Sequence, residues 1–262
     1  MDLELTFVGN ATVLLRWGDI TVLTDPNFLH AGQRAYLGHG LWTRRLLEPA
    51  IPVEELPPID LVVLSHLHGD HWDRVARRHL PPTTPVVTTP HASRRLQAFQ
   101  GFRRSLGLAT WESWAYTQGD TFVRVTAAPG RHARGPAQLL LPPVMGSVLE
   151  LGRDGTVERR VYLTGDTLMY PFVHEVAGRF PDLDVAVVHL GGTKVLGRLL
   201  VTMDGAQGAE LVEAVRPGRV VPVHYDDYEA FTSGLDDFLS AVRRKGLDSR
   251  VELVDRGQTV TL

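Results

Sequence analysis

The run Ser65-His66-Leu67-His68-Gly69-Asp70-His71-Trp72-Asp73 sets three imidazoles and a carboxylate within six consecutive positions. Packing alone gives no reason for such a density of donors. Imidazole nitrogen and carboxylate oxygen suit zinc, and also iron or manganese. The preceding residues, Ile59-Asp60-Leu61-Val62-Val63-Leu64, are largely apolar, rich in β-branched side chains and bounded by Pro57-Pro58, the pattern of a buried strand. The donors therefore fall where a rigid strand ends, and the polar turn leads into a helix expected from about Trp72 to Arg78. A strand end aims side chains at a fixed point and leaves one side open, as a reactive metal site requires.

Three further polar positions share that setting. His132 follows a strand expected over Thr121–Ala127 and the turn Ala128-Pro129-Gly130-Arg131. Asp166 follows the strand ending at Leu163, and His224 follows Val220-Val221-Pro222-Val223. In open α/β sheets, sites are assembled at the carboxyl ends of strands. A single histidine there is commonly a hydrogen-bonded structural residue. Four donor sets at strand ends in one chain point instead to a shared metal centre. The chain has no cysteine, which excludes disulfides, thiol nucleophiles and zinc–thiolate sites.

The elements that must position these residues alternate along the chain. Short strands are expected at Leu5–Val8, Ala11–Trp17 and Ile20–Thr24, separated by the turns Gly9-Asn10 and Gly18-Asp19. An irregular stretch from about Pro26 to Pro58 follows, with Tyr36, Leu41 and Trp42 as candidate pocket residues. Beyond the histidine run, strands are expected at Pro85–Thr88, Thr121–Ala127, Met145–Leu151, Glu158–Leu163, Asp184–His189, Arg219–Val223, Val251–Val254 and Thr259–Leu262. Helices are expected at Ala92–Phe99, Phe172–Gly178, Gly205–Val215 and Leu235–Arg244. No repeat or linker interrupts residues 1–262, which are read as one α/β (α+β) domain.

The order His66, His68, Asp70, His71, His132, Asp166, His224 resembles the signature of the metallo-β-lactamase superfamily, His-x-His-x-Asp-His followed by a separate His, Asp and His. The resemblance implies a four-layer αβ/βα sandwich, two mixed sheets packed face to face with helices outside, and a dinuclear metal site at one edge. It implies that His66, His68 and His132 bind one divalent ion, that Asp70, His71 and His224 bind a second, and that Asp166 bridges both. Zinc is the expected metal, with manganese or iron as alternatives. Val8–Leu15, Leu23–Pro26 and Leu56–Asp60 are similar to the branch containing the ascorbate-phosphate lactonase and the N-acyl-phosphatidylethanolamine phospholipase D. Thr202-Met203 and Tyr225-Asp226-Asp227-Tyr228 depart from that branch, where His-Met and an aromatic-Gly-Thr run are usual.

Two divalent ions roughly 3.5–4 Å apart lower the pKa of a shared water toward neutrality and polarise the oxygen under attack. The expected activity is thus hydrolysis of a small-molecule phosphodiester, lactone or related ester by metal-bound hydroxide, with Asp70 and Asp166 as the catalytic carboxylates. Such a site keeps net positive charge and should favour an anionic substrate or transition state. A metal-dependent nuclease is one alternative and a non-catalytic metal-binding sensor another. A net charge of −3 with a pI near 6.4 supplies no global field for a polyanion, so nucleic acid is not expected as a partner.

Around the donors, Asp25 is expected to hold a ligating histidine in place, Asp73 to cap the following helix, and Tyr225 and Asp227 to contact substrate or protonate a leaving group. His30, His39, His79, His91, His174 and His189 lack ligand spacing and are read as structural or exposed, with His189, at a strand end, the foremost exception. Met1-Asp2-Leu3-Glu4-Leu5 carries acids where a secretion signal needs a basic start, and no apolar run reaches spanning length, so a cytoplasmic location is expected. Composition is compatible with a homo-oligomer.

Overall fold

The computed structural model describes residues 1–195 and 199–262. It opens with three antiparallel strands, β1 (Leu3–Gly9), β2 (Thr12–Trp17) and β3 (Ile20–Thr24). The first turn is made by Asn10 at φ 52°, a left-handed conformation that asparagine tolerates better than most residues. The stretch from Pro26 to Pro58 is more ordered than expected. It holds a hairpin, β4 (Arg34–Gly38) and β5 (Leu41–Arg44), and a 3-10 turn at Val53–Glu55. Those strands fully bury only Ala35 and Thr43, so no apolar period marked them in the sequence.

β6 (Leu61–Val63) leads to the histidine run, and α1 (Arg74–His79) starts two residues later than expected because Asp73 is its N-cap. Asp73 Oδ1 accepts from Val75 N at 2.7 Å and Ala76 N at 2.8 Å. Then come β7 (Val86–Thr88), α2 (Pro90–Gln100), β8 (Ser105–Gly107), β9 (Ser113–Gln118), β10 (Thr121–Pro129), β11 (Met145–Arg153) and β12 (Thr156–Leu163). The remainder is α3 (Val173–Arg179), β13 (Val185–His189), β14 (Lys194–Val195), β15 (Leu199–Leu200), α4 (Gly205–Val215), β16 (Arg219–Val223), α5 (Leu235–Arg244) and β17 (Thr259–Thr261). Val251–Val254, expected as a strand, contributes only the isolated bridge between Val220 and Val251.

Two mixed sheets result, one ordered β17-β1-β2-β3-β6-β7-β8 and the other β16-β13-β12-β11-β10-β9. Their inner faces pack Leu5, Leu15 and Val63 with Val125, Leu149 and Val187 into one core. The outer face of the first sheet is covered by Ala76 of α1 and Leu96 of α2. The outer face of the second is covered by Val176, Val212 and Phe238 from α3, α4 and α5. This is the four-layer αβ/βα sandwich expected from the resemblance.

Strand direction then decides where chemistry can gather. β3 and β6 are parallel, as are β12, β13 and β16. β10 points the same way as β12 because both are antiparallel to β11. The chain therefore leaves the second sheet four times at one edge, after β10, β12, β13 and β16. No helix among the described residues is long and apolar enough to cross a membrane.

Candidate metal centre

All seven predicted donors converge at that edge, and all are buried. His66, His68 and His132 bring one ligand atom each within 4.8 Å of one another, and Asp70, His71, Asp166 and His224 do the same. His66 Nε2 lies 2.8 Å from His68 Nδ1. Asp166 links the groups: Oδ2 is 4.0 Å from His66 Nε2 and 3.1 Å from His71 Nε2, while Oδ1 is 3.7 Å from His224 Nε2. His224 Nε2 is also 3.5 Å from Asp70 Oδ2. His224 leaves β16 at φ 62° and Asp25 leaves β3 at φ 36°, left-handed conformations of the kind that gather at functional sites.

Backbone and side-chain acceptors fix the imidazoles. His132 Nδ1 donates to Val201 O at 3.3 Å and His224 Nδ1 to Leu190 O at 3.2 Å. His71 Nδ1 faces Asp25 Oδ2 at 3.2 Å. Ser65 Oγ donates to Asp25 Oδ1 at 2.9 Å, which leaves it to accept from His66 Nδ1 at 2.9 Å. With Nδ1 engaged, each of these four rings turns Nε2 toward the cluster.

Burial pushes His66 well below the ordinary histidine range, His68 to about 3, and His132 down as well. Burial alone would raise Asp70 and Asp166; the neighbouring histidine charges outweigh it and hold both carboxyls low. Burial alone would likewise lower His71 and His224, but the carboxylates, Asp166 foremost, hold their protons on. His66, His68 and His132 are thus neutral imidazoles, while His71 and His224 carry positive charge held against the ionised Asp70 and Asp166, charge that a bound cation would replace. Asp70 Oδ1, Asp166 Oδ1 and His132 Nε2 are buried with no hydrogen-bond partner among the described residues. Orphaned acceptors of this kind fit divalent cations.

Behind the donors lies a second set of contacts. Asp25 accepts from Ser65 N at 2.7 Å and meets His189 Nε2 at 3.4 Å, and His189 Nδ1 meets Thr164 Oγ1 at 3.2 Å. Asn10 Nδ2 donates to Asp70 O at 2.6 Å, and Asn27 Nδ2 donates to Gly69 O at 3.1 Å. Arg45, wholly buried, donates from Nη1 to Asn27 Oδ1 at 2.8 Å and faces Asp227 Oδ1 at 3.5 Å. Asp227 Oδ2 accepts from Asn10 N at 2.8 Å and from Arg256 Nη2 at 2.8 Å. Asp227 therefore braces the loop carrying Asp70 from behind. Tyr225 packs against Phe7, ring centroids 6.4 Å apart. Neither residue lines the cavity over the donors, where substrate contact was expected. Asn10, Asn27 and Arg45 went unnoticed in the sequence because an isolated asparagine or arginine in a turn carries no spacing signal.

That cavity has a volume of about 330 Å³. His68, Asp70, His132 and Asp166 form its floor. Its walls are Leu37, Leu41, Leu140, Leu141, Val195 and Val201, with His39, Thr193 and Thr202 the polar residues among them. No Lys or Arg lines it among the described residues.

Residues 21–225 match the family model described as a beta-lactamase superfamily domain. A metal-dependent hydrolase of the UPF0173 group from Archaeoglobus fulgidus is 25% identical over 268 residues, covering 98% of this chain and 98% of that protein. Among solved structures, a possible metal-dependent hydrolase from Veillonella parvula superposes with a TM-score of 0.82 at 23% identity over the full length of both chains. An isothiocyanate hydrolase from Delia radicum gut bacteria superposes with a TM-score of 0.80 at 20% identity, covering 98% of each chain. The family match covers both donor groups and extends through His224. The chain belongs to the beta-lactamase superfamily, among its metal-dependent hydrolases.

Proposed function

We propose that the site holds two divalent ions, zinc foremost, and hydrolyses a small uncharged ester or lactone bearing an apolar group. His66, His68 and His132 would hold one ion and Asp70, His71 and His224 the other, with Asp166 reaching both. Bound there, the ions would supply Lewis acidity, lowering the pKa of water toward neutrality and polarising the oxygen of the bond under attack. Asp70 and Asp166 contribute the negative charge that holds the centre together beside the reacting atoms. Asp25 keeps His71 turned toward the cluster, and the leucine and valine walls exclude water from the bond being broken.

The observation that carries this reading is the contrast inside one cavity: two buried donor groups on its floor, apolar side chains on its walls. A phosphodiester brings a permanent charge that no cationic wall residue meets among the described residues. An ester or lactone is neutral on entry and becomes anionic only in the transition state, where stabilisation accelerates reaction. Among the described residues, the same walls give a nucleic-acid strand no basic track.

The test loads metal-free protein with zinc, manganese or iron, measures the ions bound per chain, and assays hydrophobic lactones and aryl esters against bis-p-nitrophenyl phosphate. An aryl isothiocyanate, after the name of the structural relative, belongs in the panel. Two ions per chain and chelator-sensitive turnover favouring the neutral substrates are expected. Equal turnover by metal-free protein, or a preference for the phosphodiester, would sink the reading.

A further inference from the structure

We infer that His39 donates the proton that releases the leaving group, a role that rests on the ester hydrolysis proposed above. Breaking an alkyl ester expels an oxygen that carries off the bonding electron pair, and an unprotonated alkoxide is a poor leaving group. A proton donor inside the cavity would ease that departure. His68, Asp70, His132 and Asp166 belong to the donor groups, where lone pairs are needed. Thr202 Oγ1 is engaged by Thr193 N at 2.8 Å, and a threonine hydroxyl is a weak acid. Thr193 offers the same weakly acidic hydroxyl, and the other lining residues among those described are aliphatic, which leaves His39.

Its placement is specific. His39 forms the tip of the β4–β5 hairpin between Gly38 and Gly40, and the three residues take φ values of 90°, 50° and 78°. Two glycines adopt that conformation freely, whereas a histidine between them is held against the ordinary preference of an L residue. The tip is braced from below: Gly40 N donates to Tyr36 Oη at 3.2 Å, and the Tyr36 and Trp42 rings lie 4.8 Å apart. Across the cavity mouth, His39 Nε2 contacts the carbonyl oxygen of Leu140. A carbonyl only accepts, so Nε2 carries a hydrogen and Nδ1 is the nitrogen left for exchange. One nitrogen pinned by an acceptor and the other without a hydrogen-bond partner among the described residues is the arrangement of a working acid–base imidazole.

The step balances as follows in the imidazolium form. Water adds to the acyl carbon and loses one proton to solvent. The bond to the leaving oxygen breaks, its electron pair goes to that oxygen, and His39 Nδ1 delivers a proton there. Solvent reprotonates the neutral ring, and the net change is ester plus water to acid plus alcohol.

The test compares His39→Gln and His39→Ala with the parent chain on two esters of one hydrophobic acid, one with a p-nitrophenolate leaving group and one with an aliphatic alcohol. Glutamine can still donate to Leu140 O but transfers no proton. His39→Gln should lose about 100-fold or more in kcat on the alkyl ester and less than about tenfold on the nitrophenyl ester, with bound metal equal to that of the parent chain. Equal losses on both esters would mean that His39 only positions the hairpin, and no loss on either would mean no role; both overturn the assignment. A fall in bound metal overturns it too. If the zinc-loaded parent chain cleaves neither ester, the ester reading fails and takes this role with it.

Discussion

The floor and the walls of the cavity are built by opposite means. Every floor residue follows a strand end in one of the two large sheets and is buried, and bonds from behind hold the His132 ring and the backbone of Asp70. The walls come from the β4–β5 hairpin, the 3-10 turn Gly135–Leu140 and the β14–β15 segment, none of which belongs to either large sheet. Most of the wall leucines are partly exposed, Leu140 by 65%, while Val201 is buried. Chemistry that needs atoms held to a fraction of an ångström is placed on the rigid sandwich, and selection among substrates is left to parts that can change without disturbing it.

The most direct way to break this comparison is to damage the floor. Asp166→Ala removes the one carboxylate that reaches both donor groups. It should abolish turnover and reduce bound metal, measured by mass spectrometry of the desalted protein, while circular dichroism keeps the spectrum of the parent chain. A variant that binds metal fully would show that the two groups do not depend on a shared carboxylate. Next in size is Arg45→Met, which leaves Asn27 and Asp227 without their buried cation. Breaking a buried ion pair costs about 3–5 kcal/mol. Arg256 still meets Asp227, so the low end is expected, read from urea unfolding. A loss under about 1 kcal/mol would mean that the brace behind the Asp70 loop is redundant.

Asp25 sharpens the comparison from the acid side. Burial alone would raise its carboxyl; the charge of His71 and hydrogen bonds from His189 and His71 outweigh that and bring it to about 2, from an ordinary value of 3.8. The folded pKa lies below the unfolded one, so the stabilisation is fully present above about pH 4 and is lost as pH falls toward 2. In metal-free protein it amounts to about 2–3 kcal/mol. Asp25→Asn should flatten that part of the stability profile. It should also weaken metal binding by about 10–100-fold, as loss of an orienting partner does, measured by chelator competition. An unchanged acid limb would show that the His71–Asp25 contact stores no stability.

The same divide explains what could be read from the chain beforehand. His66, His68, Asp70, His71, His132, Asp166 and His224 could be picked out because each follows an apolar run, and a strand end has a local pattern. Asp25 could be placed by the same logic, and so could the helices Gly205–Val215 and Leu235–Arg244, whose apolar faces recur at helical spacing. Arg45 could not, since its burial arises only when β5 docks against Asp227, 182 residues away in sequence. The walls were equally hidden. Leu37, Leu41, Leu140 and Val201 belong to separate short segments, and only the closed fold makes them neighbours. Tyr225 and Asp227 were misjudged for a related reason: adjacency to His224 suggested the substrate side, but the left-handed turn at His224 carries the chain behind the metal loop instead.

The gentlest test acts on a wall alone. Leu41→Ala removes apolar surface from a partly buried side chain on β5 and touches no donor or brace. Stability should change little, because the hairpin lies outside both large sheets. Lost burial of a few methylene groups weakens binding of an apolar substrate by about 1–2 kcal/mol. KM for a long-chain ester should therefore rise roughly 5- to 30-fold, while KM for an acetyl ester with the same leaving group moves by less than about twofold and kcat stays within the same range for both. Uniform binding energy lost in this way appears in KM and leaves the chemical step alone. If kcat for the acetyl ester fell as well, Leu41 would be holding the floor, and the separation between a rigid reacting centre and an adaptable mouth would not survive.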